Sequence, residues 1–201
     1  MSIFRKIFTA LTVGLLLIIV IGLFLPSKRY LERSIKIYTP PSAVFEEVNS
    51  LKKWENWSPW RDIDPRAMAK YEGPEAGIGC TMSWSSDHPK VGKGTQRIVV
   101  SEPNQHVVMH MNFAGWDGTV TAGWKFEEQA EGETHVTWSN DSDNKGKLLN
   151  KYMDLIIYPE LRKNYAQGLK NLKTHVENIY ARQRELQKET ENIDPQANEI
   201  P

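Results

Sequence analysis

The chain has 201 residues, of which 40% are hydrophobic, and its 25 basic and 25 acidic side chains give a formal net charge of zero. This balance provides no basic surface of the kind that nucleic-acid binding needs, so we predict no nucleic-acid partner. The single cysteine, Cys80, excludes an intramolecular disulfide framework and a thiolate metal cluster.

An uncharged apolar segment, IFTALTVGLLLIIVIGLFL, occupies residues 7–25. As a helix with a rise of about 1.5 Å per residue it would be roughly 28 Å long, close to the roughly 30 Å hydrocarbon core of a bilayer. A cleaved signal peptide is the alternative, but it has a shorter apolar region and a small-residue cleavage site, which LFLPSKRY lacks. We therefore predict a retained single-pass anchor within residues 1–30. Basic residues flank both ends, which leaves the side of the soluble domain open.

Short elements follow the apolar segment. Alternation in RSIKIYTP predicts a half-buried strand, and PSAVFEEVNSLKKWENW predicts one or two short helices. Because Pro59 disfavours helical geometry at the residue before it, we expect the helix to end near Trp57 or Ser58, and Trp57 and Trp60 to lie in a loop. About six further strands of period two, separated by turn signals such as GWDG, indicate an antiparallel meander.

The pattern becomes helical from Lys147 to Ala181. Pro159 would break a continuous helix, so we predict a helical turn before it and a long helix that starts at it. Residues 31–182 would form one domain, large enough for one core. Residues 183–201 are charged and lack apolar periodicity, which predicts a frayed helix end and a disordered tail.

This order of elements predicts an α+β fold in which a curved seven-stranded antiparallel sheet is covered by the carboxy-terminal helix. The apolar face of the sheet must be buried, and a single helix cannot evenly fill the space inside a twisted sheet. A cavity between sheet and helix is therefore expected, and concave apolar spaces of this kind bind small molecules. A solid core uses the same residue types, so both interpretations stay open.

Three motifs link the chain to a known family: W-x-x-W-S-P-W at residues 54–60, Y-x-G-P-x-x-G-x-G at residues 71–79 and G-K-G at residues 92–94. With them, roughly residues 28–180 resemble the SRPBCC superfamily of START-like proteins. Within it, the chain is most similar to polyketide cyclase/dehydrase-like proteins with an amino-terminal membrane helix. The resemblance implies the helix-grip fold, a seven-stranded sheet around a long helix, with a hydrophobic cavity that takes lipids, sterols, polyketides or other apolar molecules.

We expect inward-facing strand residues, two residues of the long helix and one tryptophan of the first motif to line this cavity. They are Trp60, Tyr71, Met82, Trp84, Met109, Met111, Trp124, Phe126, Trp138, Tyr152 and Ile156. Apolar burial would provide the affinity, and the hydroxyls of Tyr71 and Tyr152 would orient the ligand.

Few residues are candidates for catalysis, and the sequence identifies no catalytic residue. His106 and His110 have the spacing of a helical metal pair but lie in a strand pattern. There their Cα atoms are some 13 Å apart, too far for one zinc ion, so we predict no metal. The sequence has no phosphate loop and no dinucleotide fingerprint, so we predict no cofactor. Asp62 and Asp64 could act as a general base only if their loop covers the cavity mouth, and turn formation is the commoner role of aspartate.

The sequence therefore predicts a membrane-anchored module that binds a hydrophobic small molecule or lipid. A cyclase/dehydrase-like enzyme acting on an apolar substrate in the same cavity is the alternative. A third possibility is an interaction protein whose cavity is filled by its own side chains.

Overall fold

Seven strands and four α-helices form the part of the chain that this computed structural model describes, residues 3–130 and 132–193. The elements in chain order are α1 (Ile3–Phe24), β1 (Lys28–Ile37), α2 (Pro41–Val48), a 3-10 helix (Leu51–Asn56), α3 (Pro59–Ile63), β2 (Met68–Glu72), β3 (Thr81–Ser85), β4 (Lys93–Glu102), β5 (His106–Phe113), β6 (Trp116–Ala130), β7 (Glu133–Asp143) and α4 (Leu148–Ile193).

All seven strands join one antiparallel sheet in the order β1-β7-β6-β5-β4-β3-β2. Strands β2 to β6 each pair with the next strand in sequence, and β7 also pairs with β1, from Lys28↔Asp143 to Ile37↔Thr134. Burial alternates strictly along most of β7, as expected for a strand with one face on the core. The sheet and the long α4 confirm the predicted fold class.

The two short α-helices both begin at a proline. Pro41 and Pro59 occupy the first helical turn, where the missing N–H group costs nothing and the fixed φ suits a helix. Ser58 is extended, as expected of the residue before a proline. Trp60 therefore lies on α3, so the prediction that it lies in a loop is wrong. Trp57 lies between the 3-10 helix and α3.

Helix α4 runs unbroken from Leu148 to Ile193, so the prediction that the long helix starts at Pro159 is wrong. Pro159 removes one amide donor, but it is exposed, so water can hydrate the carbonyl that loses its partner. Tyr158 and Leu161 pack on the core on either side of it. The helix also continues through residues 183–193, where we predicted a frayed end and a tail. Residues 194–201 of that tail lie outside the described residues.

The centre of the core is aromatic. The rings of Trp124 and Trp138 stack with their centroids 4.3 Å apart, and Tyr165 of α4 stacks on Trp138 at 3.9 Å. Trp54 and Trp57 pack edge-on against both of these tryptophans, at 5.7 to 6.3 Å. These contacts join sheet, 3-10 helix and α4, so the tryptophans at residues 54 and 57 hold the layers together.

Candidate functional site

A row of residues, one from each strand, crosses the inner face of the sheet. Directly paired residues of antiparallel strands point to the same face, so the register defines the row. We call it the inner row, and it consists of Tyr71, Met82, Gln96, Met111, Val120, Ser142 and Arg29. Adjacent strands are about 4.8 Å apart, which brings the side chains of neighbouring members into contact.

Helix α4 covers one end of the inner row. The hydroxyl groups of Ser142 and Tyr158 share a hydrogen bond, and the guanidinium group of Arg29 lies 5.7 Å from the centre of the Tyr158 ring. Burial raises the pKa of the Tyr158 hydroxyl, so it stays protonated and neutral against this end of the sheet.

The other end of the inner row is more open. Tyr71, Met82 and Met111 are only half-buried. The β3–β4 connection reaches across to α4 on this side, where Lys90 Nζ lies 3.3 Å from Glu160 Oε2. Methionine is unbranched and adapts to irregular apolar shapes. The two methionines therefore give this end of the row an adaptable apolar lining.

Gln96 is the polar member at the middle of this apolar stretch. It is 3% exposed, and its strand partners in the row are Met82 and Met111. Its amide nitrogen has no hydrogen-bond acceptor among residues 3–130 and 132–193. Most buried polar groups in proteins are paired, and an unpaired one costs about 1–3 kcal/mol. A ligand oxygen beside the methionines would satisfy this donor.

Further buried donors without an acceptor in the described part of the chain belong to the indoles of Trp57, Trp124 and Trp138 and to Arg29 Nε. The indoles lie in the aromatic core and Arg29 lies at the covered end of the row. Apart from the hydroxyl of Thr39, which can donate and accept, the buried side-chain atoms without a partner in the described residues are all N–H donors. Such donors suit a ligand that carries acceptor oxygens.

Tyr71, at the open end of the inner row, donates its hydroxyl hydrogen bond to Glu55 Oε1 over 2.7 Å. Burial, and then the bond to Glu55, hold the pKa of Tyr71 well above its ordinary value. The phenol therefore keeps its proton at neutral pH and acts as a donor, not as a base.

The structure brings most of the predicted cavity residues to the inner face. Tyr71, Met82, Trp84 and Met111 are half-buried on its open side, and Met109, Trp124, Phe126 and Trp138 are buried. Trp60 packs edge-on against Trp138, at 5.8 Å, and Tyr165, at 6.3 Å.

Two predicted residues lie elsewhere. The hydroxyl of Tyr152 donates to the backbone carbonyl of Ile18 in α1, and Ile156 is 68% exposed on α4. Sequence reasoning also missed Gln96, although it shares the inward alternation of Ile98 on β4 and could have been found from that pattern.

The two aspartates of the tryptophan segment have structural contacts. Asp62 is exposed and accepts a hydrogen bond from Asn171 Nδ2 at 3.0 Å. Asp64 accepts hydrogen bonds from the hydroxyl of Ser86 and the backbone N–H of Arg66, and these bonds lower its pKa. The bond from the backbone N–H of Arg66 to the Asp64 side chain closes an Asx turn, a role that aspartate commonly fills.

The family model described as polyketide cyclase/dehydrase and lipid transport matches residues 29–177. Among solved structures, an aromatase/cyclase from a Streptomyces species has a TM-score of 0.56 and 13% identity, covering 75% of this chain and 94% of that chain. A norcoclaurine synthase from Thalictrum flavum, in complex with dopamine and hydroxybenzaldehyde, has a TM-score of 0.54 and 12% identity, covering 78% and 90%. The protein Ara h 8.0201 has a TM-score of 0.52 and 13% identity, covering 74% and 97%. At these identities the structures share the fold alone. No curated protein matches the chain by sequence.

Proposed function

Because the chain belongs to the polyketide cyclase/dehydrase and lipid transport family, we propose that it is a membrane-anchored module that binds a hydrophobic small molecule or lipid between the inner row and α4. The observation that carries this proposal is the buried, unpaired amide nitrogen of Gln96, placed between the half-buried side chains of Met82 and Met111. A folded protein loses stability by burying such a donor, and a bound ligand would recover it.

The chemistry of the inner row specifies the class of ligand. Met82, Met111 and Val120 offer apolar surface, so affinity comes mainly from burial of an apolar body. The amide of Gln96 donates one hydrogen bond, which fits a carbonyl, ester or carboxylate oxygen. The ligand is therefore a largely apolar molecule with at least one acceptor oxygen.

The proposed membrane anchor is α1. Within the described residues it is the one helix that is long and apolar enough to cross a bilayer. All its residues are exposed except Gly14, which is half-buried, and Gly22, which is buried, and such exposure is unlike a core helix. A signal sequence passes the same test, but α1 has partners in the folded domain. Lys151 Nζ lies 3.2 Å and 3.4 Å from the carbonyl oxygens of Gly22 and Leu23, where a cation complements the negative end of a helix dipole. These contacts support a helix that stays attached.

The experiment compares two variants of the purified full chain by mass spectrometry of organic extracts. Met111→Trp enlarges a half-buried side chain of the inner row, and His110→Trp places the same indole on the exposed outer face of the same strand. We expect an apolar compound in extracts of the wild type and of His110→Trp, and several-fold less of it from Met111→Trp. Equal amounts from the two variants, when both show native circular dichroism, would count against the inner row as the binding site.

A cyclase/dehydrase-like enzyme is the second candidate, and the pair formed by Tyr71 and Glu55 favours it. The phenol lies at the open end of the row, where its hydroxyl proton could hydrogen-bond a substrate oxygen on which negative charge develops. Tyr71→Phe removes that proton and leaves the ring. Loss of turnover with unchanged ligand retention in Tyr71→Phe would support the enzyme. Retention and turnover that are both unaffected would exclude Tyr71 from catalysis.

A further inference from the structure

The amino-terminal turns of α4 have an apolar face that the fold leaves uncovered. Leu149, Met153 and Ile156 are 73%, 44% and 68% exposed. Their spacing of four and three residues places them on one side of the helix. We call these three residues the outer stripe. Ile156 and Tyr158 are two positions apart, about 200° around the helix, so the outer stripe lies opposite the side that packs on the core.

The same side of α4 becomes polar immediately after the outer stripe. The residues that continue it along the helix are Glu160, Lys163, Gln167, Lys170 and Thr174. The outer side therefore changes from apolar to polar within about one turn after Ile156. A helix surrounded by water along its whole length would carry polar residues along that side throughout. The change indicates that the two parts of α4 face two different environments.

Helix α1 crosses α4 beside the outer stripe. Gly22 allows this close approach, because a Cβ atom there would lie 2.9 Å from Cε2 of Tyr152. The hydroxyl of Tyr152 donates to the carbonyl of Ile18, and Lys151 reaches the carbonyl of Gly22. At about 1.5 Å per residue, Ile18 is about 9 Å from the Phe24 end of α1. The tip of Tyr152 therefore lies well inside the apolar segment of α1.

We propose that the outer stripe inserts into the bilayer that holds α1, so that lipid acyl chains cover it. This inference rests on the proposed anchoring by α1. The stripe is continuous with a helix whose apolar side chains are themselves exposed, such as Leu16 at 56% and Ile18 at 52%, so one hydrocarbon environment covers both. Two elements then hold the domain against the membrane.

The position of the stripe also relates the binding site to the membrane. Tyr158, which bonds Ser142 at the covered end of the inner row, is half a turn from Ile156. One helix diameter, about 10 Å, therefore separates that end of the inner row from the lipid that covers the outer stripe.

The test uses the full chain reconstituted in phosphatidylcholine nanodiscs, with an environment-sensitive nitrobenzoxadiazole label at one introduced cysteine. A label at Ile156→Cys reports the environment of the outer stripe. Labels at Gln167→Cys and Leu16→Cys report the environments of the polar part of the same side of α4 and of α1. Cys80 is 3% exposed, and the labelled parent chain serves as its blank. We expect the labels at positions 156 and 16 to emit at shorter wavelength and to be quenched by spin-labelled lipid. The label at position 167 is expected to be quenched by aqueous iodide.

The outcomes separate this inference from the anchoring on which it rests. Quenching by iodide at position 156, with lipid quenching at position 16, would overturn the membrane role of the outer stripe and leave the anchor intact. Iodide quenching at position 16 would contradict the anchor itself. A blue-shifted label at position 156 that neither quencher reaches would assign the stripe to a protein contact, such as a second copy, and would also overturn the inference.

Discussion

Replacing Gln96 by leucine separates the requirements of binding from those of folding. The substitution keeps a side chain of similar size and removes the amide, whose nitrogen is buried without an acceptor in the described part of the chain. An unpaired buried donor costs about 1–3 kcal/mol, and leucine is fully compatible with a site that is 3% exposed between two methionines. We therefore expect the free energy of unfolding of the ligand-free Gln96→Leu protein to rise by about 1–2 kcal/mol.

Ligand binding should change in the opposite direction. The variant loses one hydrogen bond to the ligand, worth about 0.5–1.5 kcal/mol. This loss raises the dissociation constant by roughly 2- to 13-fold. Denaturant unfolding in mild detergent, followed by the fluorescence of the aromatic core, measures stability, and extraction measures retained ligand. Gln129→Leu is the matched control, because Gln129 is an exposed strand residue, and it should change neither quantity. A Gln96→Leu protein that is destabilised by more than about 1 kcal/mol and retains its ligand would contradict the role of the Gln96 amide as an unpaired donor for the ligand.

Three further predictions test the packing and the turn beside the site. Gly168→Ala would gain about 1 kcal/mol of helix propensity, but its Cβ would lie 2.8 Å from Cζ3 of Trp138 and 3.0 Å from Cδ of Pro59. We expect a lower melting temperature, because overpacking costs about 1–3 kcal/mol, and a rise would contradict the packing of α4 on Trp138. Trp138→Ala should cost about 3–5 kcal/mol in denaturant unfolding, whereas Trp116→Ala, whose ring lies 6.3 Å from that of Phe113, should cost less than half as much. Folding lowers the pKa of Asp64, so its carboxylate stabilises the fold at pH values above the ordinary pKa of 3.8. This contribution is lost as the pH falls through the lower pKa of the folded protein. Asp64→Asn should therefore flatten the dependence of stability on pH below about pH 5, and an unchanged acid limb would exclude this role.

The strands and their order were predictable because alternation of burial is a local property of the sequence. The error at Pro159 has a tertiary cause. Tyr158 and Leu161 pack on the core on either side of it and hold α4 continuous, and Pro159 itself faces water. Neither contact is visible in the helical pattern. The loop at Trp60 was predicted from the effect of Pro59 on the residue before it, and Ser58 is extended as that effect requires. A new helix of five residues starts at Pro59 itself, and it is too short for periodicity to reveal.

The candidate site was predicted where it depends on strand alternation and missed where it depends on helix register. Met82 and Met111 lie on the inner face as alternation predicts. Tyr152 and Ile156 precede Pro159, where we expect only a separate helical turn. Because α4 is continuous, its register relative to Tyr165 places Ile156 opposite the core. The unpaired amide of Gln96 could not be recognised from sequence, because pairing depends on every neighbouring side chain.

Native mass spectrometry of the full chain, released from mild detergent, shows whether an apolar ligand occupies the inner row. We expect the mass of the polypeptide plus one small apolar molecule in the wild type, and the polypeptide mass alone for Met111→Trp. The polypeptide mass alone for a wild-type protein with native circular dichroism would contradict that occupancy.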